Sequence, residues 1–152
     1  MKLLSVVFIS ALAFAAVNAG CPNGWELHES DCYYNSNEIF RNWNDAVNFC
    51  VAINGTLTSV KTQAEYDFLK ILAANASPLY PIWIGLHRDP SVSSYPRWIW
   101  LDGSSANSSF FNTNPIEVDG CISWRTLSTN NGFETISCLF DQPFICKTAA
   151  SV

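Results

Sequence analysis

An α+β fold is predicted by two stretches with helical spacing in the first half of the chain, followed by a series of short aromatic and β-branched runs. Six cysteines, all behind an apolar leader, add covalent bracing to that scheme. Two helices, several short strands and one long loop account for residues 20–152, a length that suits one domain.

Residues 1–19 begin Met1-Lys2, continue through the apolar "LLSVVFISALAFAAV" and end at "VNAG". One positive charge, an apolar run and small residues at Val17 and Ala19 form a secretory signal peptide, with the cut expected after Ala19. The run falls short of the roughly 20 apolar residues that cross a bilayer, so no membrane anchor is expected. The expected product is a secreted, extracellular domain of residues 20–152.

"CPNGWELHESDCYY" has a Pro-Asn-Gly turn and apolar residues on both sides of Cys32, the pattern of a small hairpin that a Cys21–Cys32 bridge would pin. In "NWNDAVNFCVAI", Trp43, Ala46, Val47, Cys50 and Ile53 recur at helical spacing, which places Cys50 on a buried face. Thr62-Gln63-Ala64-Glu65 is a capping box that opens a second helix, "AEYDFLKILAAN". Its inner stripe is Phe68, Leu69, Leu72 and Ala73, and Pro78-Leu79-Tyr80-Pro81 ends it. "IWIGL", "RWIWLDG", "GCISW", "NGFETISC" and "PFICK" follow as strands, with the polar "TLSTNNG" as a turn. Between Leu101 and Cys121 lies a loop rich in Ser, Asn, Gly and Pro. A loop of that length inside a small domain is usually functional.

The chain carries 8 Lys and Arg, one of them Lys2 in the leader, against 13 Asp and Glu. This acidic balance leaves no footprint for nucleic acid or an anionic membrane. Six cysteines behind a signal peptide imply three disulfides, and without a Cys-x-x-Cys pair or ligand-like spacing of His28 and His87 a zinc site is disfavoured. Cysteine counting leaves the pairing open. Three glycosylation sequons start at Asn54, Asn75 and Asn107. Asn107 in the long loop ranks first, Asn75 at a helix end second, and Asn54, next to the apolar "TLTSV" run, third.

"CPNGW" with Cys32, the helix carrying Cys50, "GTLTSVKTQAEYDFL", "WIGL", "WLDGS" and "CLFDQPFICK" occur in one order over nearly all of residues 21–147. Together they resemble the C-type lectin-like domain family. The resemblance implies two helices flanking a double-loop arrangement of antiparallel strands. It also implies the pairings Cys21–Cys32, Cys50–Cys146 and Cys121–Cys138.

The family's lectins hold calcium in the long loop with a Glu-Pro-Asn or Gln-Pro-Asp tripeptide, an acid two residues before the next cysteine, and a Trp-Asn-Asp tripeptide. Calcium takes six to eight oxygens, so most of these ligands are needed. Here Asn114-Pro115-Ile116 stands at the first tripeptide, Asp119 stands two before Cys121, and Phe133-Glu134-Thr135 replaces the last tripeptide. Asn114 and Asp119 are remnants of the set; Ile116 and Thr135 bring no carboxylate. No metal or other cofactor is therefore expected at the usual calcium position.

No nucleophile elbow is present, and paired carboxylates for glycoside hydrolysis lack a spacing that demands them, so no enzyme is expected. Trp83, Trp98 and Trp100 are assigned to the core. The expected function is recognition of an extracellular glycan or glycoprotein through Asn114, Glu117, Asp119, Trp124 and Glu134. The alternatives are a protein-binding module without sugar recognition and a structural role at a mineral or ice surface.

Overall fold

The computed structural model describes residues 20–76, 79–89, 91, 98–106, 108–110, 120–126 and 132–151. The leader 1–19 lies outside the described residues. In chain order the elements are β1 (Glu26–His28), β2 (Asp31–Asn35), α1 (Trp43–Ala52), β3 (Thr56–Leu57), α2 (Gln63–Ala76), β4 (Ile82–Trp83), β5 (Leu86–Arg88), β6 (Trp98–Trp100), β7 (Cys121–Arg125), β8 (Gly132–Ile136) and β9 (Ile145–Ala149). A 3₁₀ turn at Ser108–Phe110 lies in the long loop. The strands form three antiparallel sheets, in the orders β1-β2-β9-β3, β4-β7-β8 and β5-β6. Among the described residues no helix is long and apolar enough to cross a membrane.

Local chemistry sets the ends of both helices. Asn42 caps α1: its Oδ1 accepts from the Asp45 N–H at 3.0 Å, a contact worth about 1 kcal/mol. At the other end the Asn54 N–H donates to Val51 O and the Gly55 N–H to Cys50 O, with Asn54 at φ 59°. These paired bonds are a Schellman motif, and they use two carbonyls that the helix leaves open. At α2 the Glu65 N–H donates to Thr62 Oγ1 at 3.1 Å, one half of the capping box. The reciprocal half is shifted, because Glu65 Oε2 accepts from the Lys61 N–H at 2.8 Å rather than from Thr62.

"IWIGL" divides between two sheets instead of forming one strand. Gly85 crosses the backbone of β3 so closely that a Cβ there would sit 2.5 Å from Leu57 O. Its N–H donates to Thr58 O and its carbonyl accepts from the Leu101 N–H. The chain passes there from its pairing with β7 to its pairing with β6. β3 itself is two residues long and paired only with β9, too short to leave a pattern of alternation.

Two buried clusters share the interior. One joins Leu69 and Leu72 of α2 to Ile84, Trp98, Trp100, Ile122, Trp124 and Phe133, with Phe68 partly buried at its edge. The other joins Trp43, Ala46 and Cys50 of α1 to Leu57, Trp83, Phe144 and Cys146. Trp43 Nε1–H donates to Ile84 O and Trp83 Nε1–H to Arg41 O, so both indoles are buried with their polar ends satisfied. Three disulfides brace this core: Cys21–Cys32, Cys50–Cys146 and Cys121–Cys138, with Cα separations of 5.5, 5.4 and 5.0 Å.

A buried ionic network ties α2 to the first sheet. Glu65 Oε1 accepts from the Tyr33 hydroxyl at 2.8 Å and from Lys147 Nζ at 2.6 Å. Lys147 also reaches Asp31 at 3.0 Å. Burial alone would raise the Glu65 carboxyl, but bonds from Lys147, the Lys61 N–H and Tyr33 outweigh it and hold the group below its ordinary range. Burial would lower Lys147, and its carboxylate partners reverse that and raise it.

Candidate functional site

The long loop and the β7–β8 hairpin meet at one side of the β4-β7-β8 sheet. β7 and β8 pair Cys121 with Ile136, Ser123 with Glu134, Trp124 with Phe133 and Arg125 with Gly132. Because side chains alternate along a strand, Ile122, Trp124 and Phe133 share the inner face and Ser123, Arg125 and Glu134 the other. The Cys121–Cys138 bridge closes the base of the hairpin. Gly120 enters it against β8: a Cβ there would collide with Thr135 Cγ2 and come within 2.9 Å of Ile136 O.

The inner face anchors the loop. Trp124 meets Phe133 edge-on at 5.7 Å and Tyr66 at 4.6 Å. The ring of Phe110, from the 3₁₀ turn, stacks on Tyr66 at 5.0 Å and is buried. The described part of the long loop is thus fixed to α2 by one aromatic side chain.

The other face carries an ion pair. Arg125 Nη2 donates to Glu134 Oε1 at 2.8 Å, and Nε lies 3.5 Å from Oε2. The two side chains are 43% and 31% exposed, so the pair can be reached from solvent. A guanidinium and a carboxylate side by side offer several donors and several acceptors, a combination suited to vicinal hydroxyls or to polar groups on a protein.

Of the five residues expected to contact ligand, Glu134 stands on this face. Trp124 does not. It is fully buried, with its indole hydrogen-bonded to the Tyr66 hydroxyl, because its place in the register opposite Phe133 turns it inward. Asn114, Glu117 and Asp119 lie outside the described residues, as does the sequon residue Asn107. Asn54 and Asn75 are both exposed. Sequence reasoning missed Arg125, although a hairpin register drawn across "TLSTNNG" would have set it diagonally across from Glu134.

The residues at the position of the family's last calcium tripeptide do not fit a calcium ion. Glu134 already accepts from a guanidinium, whose positive charge opposes a second cation, and Thr135 Oγ1 is uncharged and buried. Among the described residues no group of three or more His, Cys, Asp or Glu side chains is placed to hold a metal.

Comparisons with known proteins agree with this architecture. Residues 40–148 match the family model described as the lectin C-type domain. Snaclec 3 of Sistrurus catenatus edwardsii is 37% identical over 150 residues, covering 95% of this chain and 93% of its own. A snaclec coagulation factor IX/factor X-binding protein of Gloydius halys is 31% identical over 149 residues, covering 97% and 93%. The solved structure of SPL-1 in complex with GlcNAc superposes with a TM-score of 0.73 at 29% identity, over 84% of this chain and 94% of that one. The match over most of its length, on a fold of two helices and antiparallel sheets held by three disulfides, shows that this chain belongs to the C-type lectin domain family.

Proposed function

We propose that the chain is a secreted binding module that recognises an extracellular carbohydrate or glycoprotein. Contact is made by the face formed by the long loop and the β7–β8 hairpin, without calcium at the position where the family's lectins hold it. The observation that carries this reading is the half-exposed Arg125–Glu134 pair. It supplies donors and acceptors for hydroxyl groups and at the same time withdraws Glu134 from service as a cation ligand. Asn114, Glu117 and Asp119 supply further oxygens from the neighbouring loop sequence. The likeness to SPL-1, solved with GlcNAc, supports a sugar ligand. The leader at residues 1–19 supports secretion, and nothing in the charge balance recommends nucleic acid as a partner. All cysteines of the described domain are in bridges, which leaves no thiol for catalysis and accords with a binding role.

A glycan array probed with the purified protein in calcium and again in a chelator tests the proposal. Binding to the same sugars in both conditions is expected. Binding that a chelator abolishes would contradict the calcium-free reading.

A second reading is favoured by the relatives themselves. The name of the Gloydius halys relative states that it binds coagulation factors IX and X, and 31% identity over nearly the whole chain makes a protein ligand a specific alternative. An empty array in both conditions, with a protein captured from the secretions that contain this chain, would favour it.

A further inference from the structure

A groove of about 550 Å³ lies where the two ends of the domain meet, beside the bridge between Gly20 and Ser151. Pro22, Trp25, Ile53, Asn54 and Thr148 line it. Asn54 opens the sequon Asn54-Gly55-Thr56. The apolar run after it is buried from Leu57 to Val60, but Asn54 itself is exposed, lifted out by its left-handed φ of 59° at the end of α1. The Schellman bonds of Asn54 and Gly55 fix the direction in which its side chain leaves the helix. Trp25 lies against the same backbone: a Cβ on Gly55 would come 3.0 Å from Trp25 Cη2. The ring is half-buried and is steadied by Tyr34 at 5.6 Å, leaving part of its surface to the groove.

We propose that Asn54 carries an N-linked glycan whose first N-acetylglucosamine packs on Trp25 in this groove. The modification joins Asn54 Nδ2 to C1 of the sugar of a lipid-linked oligosaccharide diphosphate. The C1–O bond of the donor breaks, the lipid diphosphate leaves with the bonding pair, and the amide proton passes to a base of the host transferase. The product places a pyranose ring and an acetamido methyl beside an indole, where C–H groups meet an aromatic face. Asn75 offers no comparable seat. It borders a recess of about 130 Å³ whose lining includes Glu26, Asn35 and Asn37. The inference rests on the secretion proposed above.

The test uses the full chain with its leader, expressed in a eukaryotic secretory host, with Asn75→Gln and Asn107→Gln removing the other acceptors. Peptide mapping after amidase release in heavy-oxygen water is expected to find Asn54 converted to labelled aspartate. After trimming to one N-acetylglucosamine, the acetamido methyl resonance is expected to shift upfield and to show contacts to Trp25 indole protons. Complete removal of the sugar is expected to lower the melting temperature by about 2–4 °C, and Trp25→Leu is expected to erase that difference. Retention in the cell with residues 1–19 still attached would overturn the secreted reading. Secretion with a bare Asn54 would overturn this inference alone. An occupied Asn54 whose methyl is unshifted and makes no indole contact would overturn the seat on Trp25, and that measurement needs no variant of the tryptophan.

Discussion

Glu134 and Trp124 sit one register step apart on the same hairpin and respond oppositely to substitution. Glu134→Gln removes one partner of a half-exposed ion pair, so stability is expected to change by less than about 1 kcal/mol. Binding to any sugar found on the array is expected to fall. Trp124→Ala empties a fully buried site and is expected to cost about 3–5 kcal/mol in urea denaturation, with any loss of binding explained by unfolding. Gly120→Ala forces a methyl into Thr135 and the β8 backbone and is expected to cost about 1–3 kcal/mol. At this scale the sequence was partly legible. Trp83, Trp98 and Trp100 were assigned to the core from their runs, and all three are buried. Trp124 was not, because an aromatic that borders a long loop can face either way until the opposite strand fixes the register.

The helices show how far local rules reach. The capping box placed the start of α2, since Thr62 and Glu65 act on backbone only three residues apart. The remaining partners of Glu65, Tyr33 and Lys147, are 32 and 82 residues away in sequence, and no local pattern announces them. The same applies to β3 and to the division of "IWIGL", both consequences of a backbone crossing at Gly85. The Glu65 network gives stability a defined pH window. The lowered carboxyl contributes fully above its ordinary value of 4.5, and that contribution is lost as pH falls through the folded-state value. The raised Lys147 contributes fully below its ordinary 10.5 and loses that contribution as pH rises through the folded-state value. Melting temperatures are therefore expected to stay level between these limits and to decline outside them. Glu65→Gln is expected to destabilise by on the order of 3 kcal/mol at neutral pH, because it leaves Lys147 buried with Asp31 alone, and to flatten the acid limb.

Over the whole molecule, covalent closure matters as much as packing. Cys50–Cys146 closes 96 residues and joins α1 to the last strand, so replacing both cysteines by alanine is expected to cost about 4–5 kcal/mol. The Cys121–Cys138 loop of 17 residues is expected to cost about 3 kcal/mol by the same reasoning. Chemical denaturation of the two double variants checks the ranking. The two helices and most strands could be read from periodicity, and the family from the order of its motifs. The ligand face was legible only as a set of oxygen-bearing residue types, since which of them are already engaged depends on cross-strand neighbours such as Arg125. The central claim is that this member of the family presents its ligand face without a calcium ion. Calorimetric titration of calcium into the purified protein tests it most directly. No saturable heat and an unchanged melting temperature are predicted, whereas uptake of one ion per chain with a raised melting temperature would contradict it.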